Sequence, residues 1–235
     1  MIKSFRSTAL FAVCSVATLL LSAPPASATS GAASPDNWTS TTFAGLFVPV
    51  SGSTTTQATV QVPGAGNCAT QGYDSSVGSG AILTGSTGMI GAAAYTMCES
   101  GVVSTQVVEY NYNQWAYLGP PNMLPPGDAV TINIQPSGVN YLATVHMTSG
   151  VAYVTGPIGN PNNYNVGIWP RRPDGGASYL NSFGTLNFSG VLPGLRGSSP
   201  VDLTTRAGNP RATTGMVLCG RGSAGCGFPV SYMHH

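Results

Sequence analysis

"DAVTINIQPSGVNYLATVHMTSGVAYVTG", residues 128–156, is the stretch that decides the fold. Its runs at 128–135, 140–148 and 150–156 alternate apolar and polar residues with period two, the repeat of a strand and not of a helix. "PSGVN" (136–140) and "TSG" (148–150) punctuate them with turn-forming residues. Working outward, the same alternation marks strands at 41–50, 55–63, 104–118, 164–170, 184–191, 214–220 and 228–233, with further turns at "PPGD" (125–128) and "GNPNN" (159–163). Helical periodicity is absent nearly everywhere, and 31 glycines and 18 prolines in 235 residues leave little room for helices of ordinary length. Many strands at short spacing predict an all-β, antiparallel double-sheet sandwich.

The N-terminus reads as a secretory signal peptide. Lys3 and Arg6 precede the apolar run "TALFAVCSVATLLLSA" (8–23), and "ASA" (26–28) offers small residues for cleavage near Ala28. The apolar run is too short for a stable membrane span. The expected organisation is therefore a leader over 1–28, a flexible segment over 29–39 and a single sandwich domain over 40–235. An exported location, outside the membrane, follows.

Lys3 is the only lysine in the chain. Without the leader, six arginines stand against seven acidic residues, a net charge of −1. That balance excludes the electrostatic footprint of a nucleic-acid or anionic-membrane binder. Of the five cysteines Cys14 leaves with the leader, and Cys68, Cys98, Cys219 and Cys226 remain. An even number in an exported chain predicts two disulfides, for which three pairings exist. Cys219 and Cys226 bracket the short glycine-rich loop "GRGSAG", which favours that pair and leaves Cys68 with Cys98. Neither spacing nor a nearby histidine suits zinc, so no metal or other cofactor is expected.

Read as one strand, "VVEYNYNQWAY" (107–117) places Val107, Glu109, Asn111, Asn113, Trp115 and Tyr117 on one face. Val108, Tyr110, Tyr112, Gln114 and Ala116 take the other. A carboxylate, two amides and two aromatics suit a wet groove better than a core, where each polar group would need a partner.

The ordered segments of the chain resemble those of the glutamic peptidases (eqolisins), exported acid endopeptidases with a concanavalin A-like double-sheet sandwich. The resemblance rests on "TFAGLFV" (42–48), "ATVQVPGAGNC" (58–68), "SSVG" (75–78), "QWAYLGPP" (114–121), "LPPGDAVTINI" (124–134), "IWPRRPDGGASYLNSFGTLNFSG" (168–190) and "GFPVSYMH" (227–234). It spans nearly all of 40–234 and also implies the Cys68–Cys98 pair. The family's chemistry uses a glutamate as general base and a glutamine amide as oxyanion holder. Counting seven residues back from Cys98 puts the glutamine position on Gly91, and registering on Pro173 puts the glutamate position on Arg171. A third groove glutamate of the family falls on Tyr117. Glycine has no amide side chain, and an arginine stays protonated and cannot act as a base. The resemblance therefore implies a peptidase-like sandwich without the peptidase pair, a pseudoenzyme.

By the family register, Gly167, Trp169 and Arg171 share the groove face near Trp115 and Tyr117, while Arg172 faces away. Arg171 is expected to pair with Glu109, with a ligand carboxylate, or with Asp174 in its turn. The expected function is a monomeric exported protein that binds an extracellular peptide or glycan along Glu109, Asn111, Asn113, Trp115, Tyr117, Trp169 and Arg171. The alternative is an active acid endopeptidase with a divergent site. Glycoside hydrolysis ranks lower: it ordinarily takes two carboxylates, and the chain has only Glu99 and Glu109 beside aspartates in turn-like contexts. His146 is a lone strand histidine, and no serine sits in a nucleophile elbow. The sequons at Asn37 and Asn187 matter only in a eukaryotic secretory route.

Overall fold

A computed structural model describes residues 38–66, 68–69, 74–170, 179–193, 198–204, 210–219 and 225–233. The expected leader, the segment over 29–37, and Arg171, Arg172 and Asp174 lie outside these residues. The described chain is strand throughout, in seventeen elements. They begin with β1 (Trp38–Ser40), β2 (Ala44–Pro49), β3 (Thr56–Gln61), β4 (Ser75–Gly85), β5 (Met89–Glu99) and β6 (Val102–Tyr112). There follow β7 (Gln114–Tyr117), β8 (Ala129–Ser137), β9 (Asn140–Met147), β10 (Gly150–Gly156), β11 (Pro161–Trp169) and β12 (Tyr179–Leu180). The last are β13 (Thr185–Leu192), β14 (Ser199–Thr204), β15 (Pro210–Thr214), β16 (Leu218–Cys219) and β17 (Cys226–Tyr232).

Hydrogen-bonded neighbours run β7–β6–β5–β4–β11–β2–β14 in one layer. The other layer runs β17–β13–β3–β8–β9–β10. β15 pairs with both β14 and β17, so the two layers are one antiparallel sheet folded over and left open between β7 and β10. Among the described residues, only β1 on β14 and β12 on β4 pair in parallel. The expected β-sandwich is the observed fold.

The core fills the space between the layers. Val77, Ala81 and Leu83 of β4, Ile90, Ala92 and Ala94 of β5, and Tyr164, Val166 and Ile168 of β11 face Val60, Val130, Ile132, Ile134 and Val145. β8 and β9 alternate buried and half-exposed residues, as a strand with one wet face must. β4 and β5 do not alternate: nearly every residue is buried on either face. Strands of that kind, rich here in Gly, Ala and Ser, carry no period-two signal, and the sequence reading passes over both.

Two expectations need correction. The 104–118 segment is not one strand but a hairpin, β6 and β7, reversing at Tyr112–Asn113 with Tyr112 at a φ of 61°. The fifteen-residue strand expected there exceeds ordinary strand length, and an asparagine-flanked tyrosine is a better turn than a strand continuation. The 214–220 strand shrinks to the two residues of β16, and β14 and β15 were not anticipated. Trp38 and Thr39 pair with Val201 and Asp202 of β14.

Both disulfides join the favoured partners. Cys68–Cys98 ties the segment after β3 to the end of β5, with a Cα–Cα distance of 5.4 Å. Cys219–Cys226 bridges directly opposed residues of β16 and β17. Among the described residues no helix is long and apolar enough to cross a membrane.

Candidate functional site

The face of β2–β11–β4–β5–β6–β7 turned away from the core is set by register. Directly opposed residues share a face. Gly45, Gly167, Gly80, Ala93, Val108 and Tyr117 form one row across the strands. Phe47, Asn165, Ile82, Gly91, Tyr110 and Trp115 form the row on one side of it. Trp169, Gly78, Tyr95 and Gln106 form the row on the other.

The middle row is nearly devoid of side chains, and rings lie over it. The Phe43 ring sits above Gly45 and Gly167, so closely that a Cβ on either would touch it. The Tyr95 ring covers Gly78 in the same way. Ala93, Tyr95 and Val108 form a small buried cluster, separate from the main core, against which Tyr110 and Trp169 pack. Phe43 and Trp169 are in contact at 5.1 Å between ring centroids. Trp115 and Tyr117 meet edge to face at 5.4 Å and are 37% and 44% exposed. Phe43, Trp169, Tyr95, Tyr110, Trp115 and Tyr117 make a band of aromatic rings from β2 to β7, with no ring on β4 and the Tyr95 ring buried.

The polar groups of the band are few. The Tyr95 and Tyr110 hydroxyls lie 3.0 Å apart in a hydrogen bond that either can donate. Burial raises the Tyr110 pKa, and the Tyr95 hydrogen bond pulls it the other way. Gln106 is buried, and its Nε2 donates to the Gly119 carbonyl at 2.9 Å, which holds the chain beyond β7. No charged side chain belongs to the three rows among the described residues.

The expected groove set divides. Trp115, Tyr117 and Trp169 share the aromatic face with Gly91. Glu109 and Asn111 do not: they pair with Ala116 and Gln114 and lie on the core side of β6, with Val107. The reversal at Tyr112–Asn113 is the cause, since folding one strand into two opposes Tyr110 to Trp115 and Val108 to Tyr117. Asn111 Nδ2 donates across the open edge of the sandwich to the Thr155 carbonyl at 2.9 Å. Glu109 is half-buried, and desolvation raises its carboxyl pKa. Asn113 is exposed in the turn. Arg171 lies outside the described residues. Phe43, Tyr95 and Tyr110 belong to the band and were missed as candidates; the "NYNQ" turn signal at 111–114 would have brought Tyr110 over to Trp115.

Gly91 has a backbone that accepts no side chain. Its φ is 154°, outside the range usual for L-residues, and an added Cβ would collide with the Ala81 carbonyl oxygen and lie 2.9 Å from Ile82 Cα. Among the described residues, no three His, Cys, Asp or Glu side chains cluster to hold a metal ion. No protein-family model matches the chain, and no curated protein is a significant match.

Proposed function

We propose that the chain is an exported, glutamic-peptidase-like sandwich that binds an extended neutral ligand, a peptide or a glycan, on its aromatic band without cleaving it. The observation that carries the reading is the composition of that face. It gathers partly exposed Trp and Tyr side chains, the residues most often found as binding anchors, on a rigid central sheet. Peptide hydrolysis of the glutamic type needs a carboxylate and an amide converging on one carbonyl. Here Glu109 is on the opposite side of β6, the Gln106 amide is spent on Gly119, and the backbone at Gly91 has no room for a side chain. The paired disulfides fit an oxidising exterior.

The test is incubation of the purified protein with denatured casein from about pH 2 to 5, the range in which a carboxylate serves as general base for an acid endopeptidase. The expected result is intact casein. Cleavage that Glu109→Gln abolishes would replace this reading with a divergent acid endopeptidase.

A further inference from the structure

We infer that two copies of the chain join edge to edge through β7, antiparallel about a two-fold axis at Ala116, so that their two β7-containing layers become one continuous sheet. This stands apart from the ligand proposed above, because it uses the backbone edge of β7 and leaves the outer face open. It starts from the backbone groups that β7 has left over. The Leu118 N–H donates to the Val107 carbonyl at 2.8 Å, in register with the Val108–Tyr117 and Glu109–Ala116 pairs. Bonded and non-bonded pairs alternate along an antiparallel ladder. Leu118, Ala116 and Gln114 therefore bond to β6, the last as the closing pair of a two-residue turn. Trp115 and Tyr117 direct their N–H and C=O groups away from β6, and among the described residues no strand pairs with that side of β7.

Those groups complement themselves. With Ala116 facing Ala116 of the second copy, Trp115 of each chain lies opposite Tyr117 of the other. Each such pair exchanges two bonds, so four N–H···O=C bonds take up all eight free groups. A slip of one residue would set free groups against engaged ones. The side chains agree with the backbone. Trp115 and Tyr117 share the outer face, so this register also sets each ring directly opposite a ring of the second copy. β7 carries no charge and no proline, two of the devices that keep a free edge from pairing. Glu109 is the one charged residue of β6. The two Glu109 side chains would lie three strand spacings apart, about 14 Å, beyond a screening length of about 8 Å. The other free edge is less suited. On β10 the Thr155 carbonyl already accepts from Asn111 Nδ2, and a β7-to-β10 pairing would run head to tail without closing. A four-residue edge buries much less than the about 800 Å² per partner of a standard interface, so the dimer is weak and forms with rising concentration.

Sedimentation velocity of the purified protein from about 20 μM to about 1 mM, with hydrogen exchange measured at both ends of the range, tests this. The mass is expected to rise from one chain towards two and to stop there. Exchange at the Trp115 and Tyr117 amides should slow with concentration, and exchange at Tyr153 of β10 should not. Tyr117→Pro removes an N–H that β6 does not use, and Tyr117→Glu sets two carboxylates on the shared face. Each is expected to weaken the dimer at least tenfold. Tyr153→Glu, at an exposed position of β10, is the control and should dimerise as the wild type does. Circular dichroism establishes that each variant is folded. A protein that stays a single chain at the highest concentration overturns the inference, as does a mass that grows beyond two chains or a Tyr117→Glu variant that pairs as well as the wild type. Protection of Trp115 and Tyr117 that follows added denatured casein, and not protein concentration, would assign the edge to a foreign strand instead.

Discussion

The two outer faces of this sandwich are built on the same backbone geometry and could hardly differ more. Across β3, β8 and β9 the outward positions are Gln57, Thr59, Thr131, Asn133, Thr144 and His146, with Thr59 and Thr131 hydrogen-bonded at 2.8 Å, and β10 adds the exposed Val151 and Tyr153. This is a sheet with one face in the core and one in water. Across β11, β4, β5 and β6 the outward positions are mostly glycines, Ala93, Val108, Ile82 and rings, with Asn165 and Gln106 as the polar exceptions, and Ala93 is fully buried although it points away from the core. The difference teaches that a sheet can acquire a second apolar layer without a third sheet. Removing side chains from one row leaves space for aromatic rings from the neighbouring rows to lie flat against the backbone.

The sharpest way to break that comparison is to put a side chain back. Gly91→Gln is expected to destabilise the fold by roughly 2–4 kcal/mol in urea titration, because the Ala81 carbonyl occupies the Cβ position, and to confer no casein cleavage. Thr144→Gln on the other outer face should change stability by less than about 0.5 kcal/mol. Equal effects would mean that the two faces are packed alike. Next in size, the Cys68→Ala/Cys98→Ala variant releases a closure of 30 residues that contains β4, and a loss of about 3–4 kcal/mol is expected from chain entropy, subject to strain in the native bond. Opening Cys219–Cys226, which spans 7 residues, should cost about 1 kcal/mol less.

A hydroxyl pair on each face allows a smaller, matched test. Removing the Tyr95–Tyr110 hydrogen bond with Tyr110→Phe should cost about 1 kcal/mol, since the bond lies in a nearly dry site. Thr131→Val, which removes the Thr59–Thr131 bond on the half-exposed face, should cost less, because water replaces the lost partner. A double-mutant cycle at each pair measures the two coupling energies directly. The smallest effect is at Glu109. Its folded pKa lies above the unfolded one, so the ionised carboxylate is penalised only in the fold. The carboxyl carries no penalty well below the unfolded pKa, and stability is lost as pH rises through the folded pKa. Glu109→Gln should therefore leave the melting temperature unchanged near about pH 3 and raise it slightly near about pH 7.

The wet layer was the legible one. β10 occupies the expected residues 150–156, and β8 and β9 differ from expectation by a residue or two, because each has a core face and a solvent face that print an alternation into the sequence. β4 and β5 print none, since "SSVGSGAIL" and "IGAAAYTMC" are covered on both sides. The same gap hid Tyr95. Trp115, Tyr117 and Trp169 fall on the same face, but Trp169 on β11 is separated from the other two on β7 by β4, β5 and β6, and Glu109 and Asn111 were grouped with them by extending strand parity through a turn. The error came from Tyr112, a non-glycine residue holding a left-handed φ that composition alone does not announce. The cysteine pairings were accessible because a short glycine-rich loop leaves one partner for each remaining thiol.

Gly91 also has a consequence for descent. A glutamine codon lies more than one base change from any glycine codon, and every single-step replacement of glycine brings a Cβ. Each such intermediate would meet the Ala81 carbonyl oxygen before any amide could be tried. An amide at this position meets the same oxygen unless the backbone of β4 or β5 moves first.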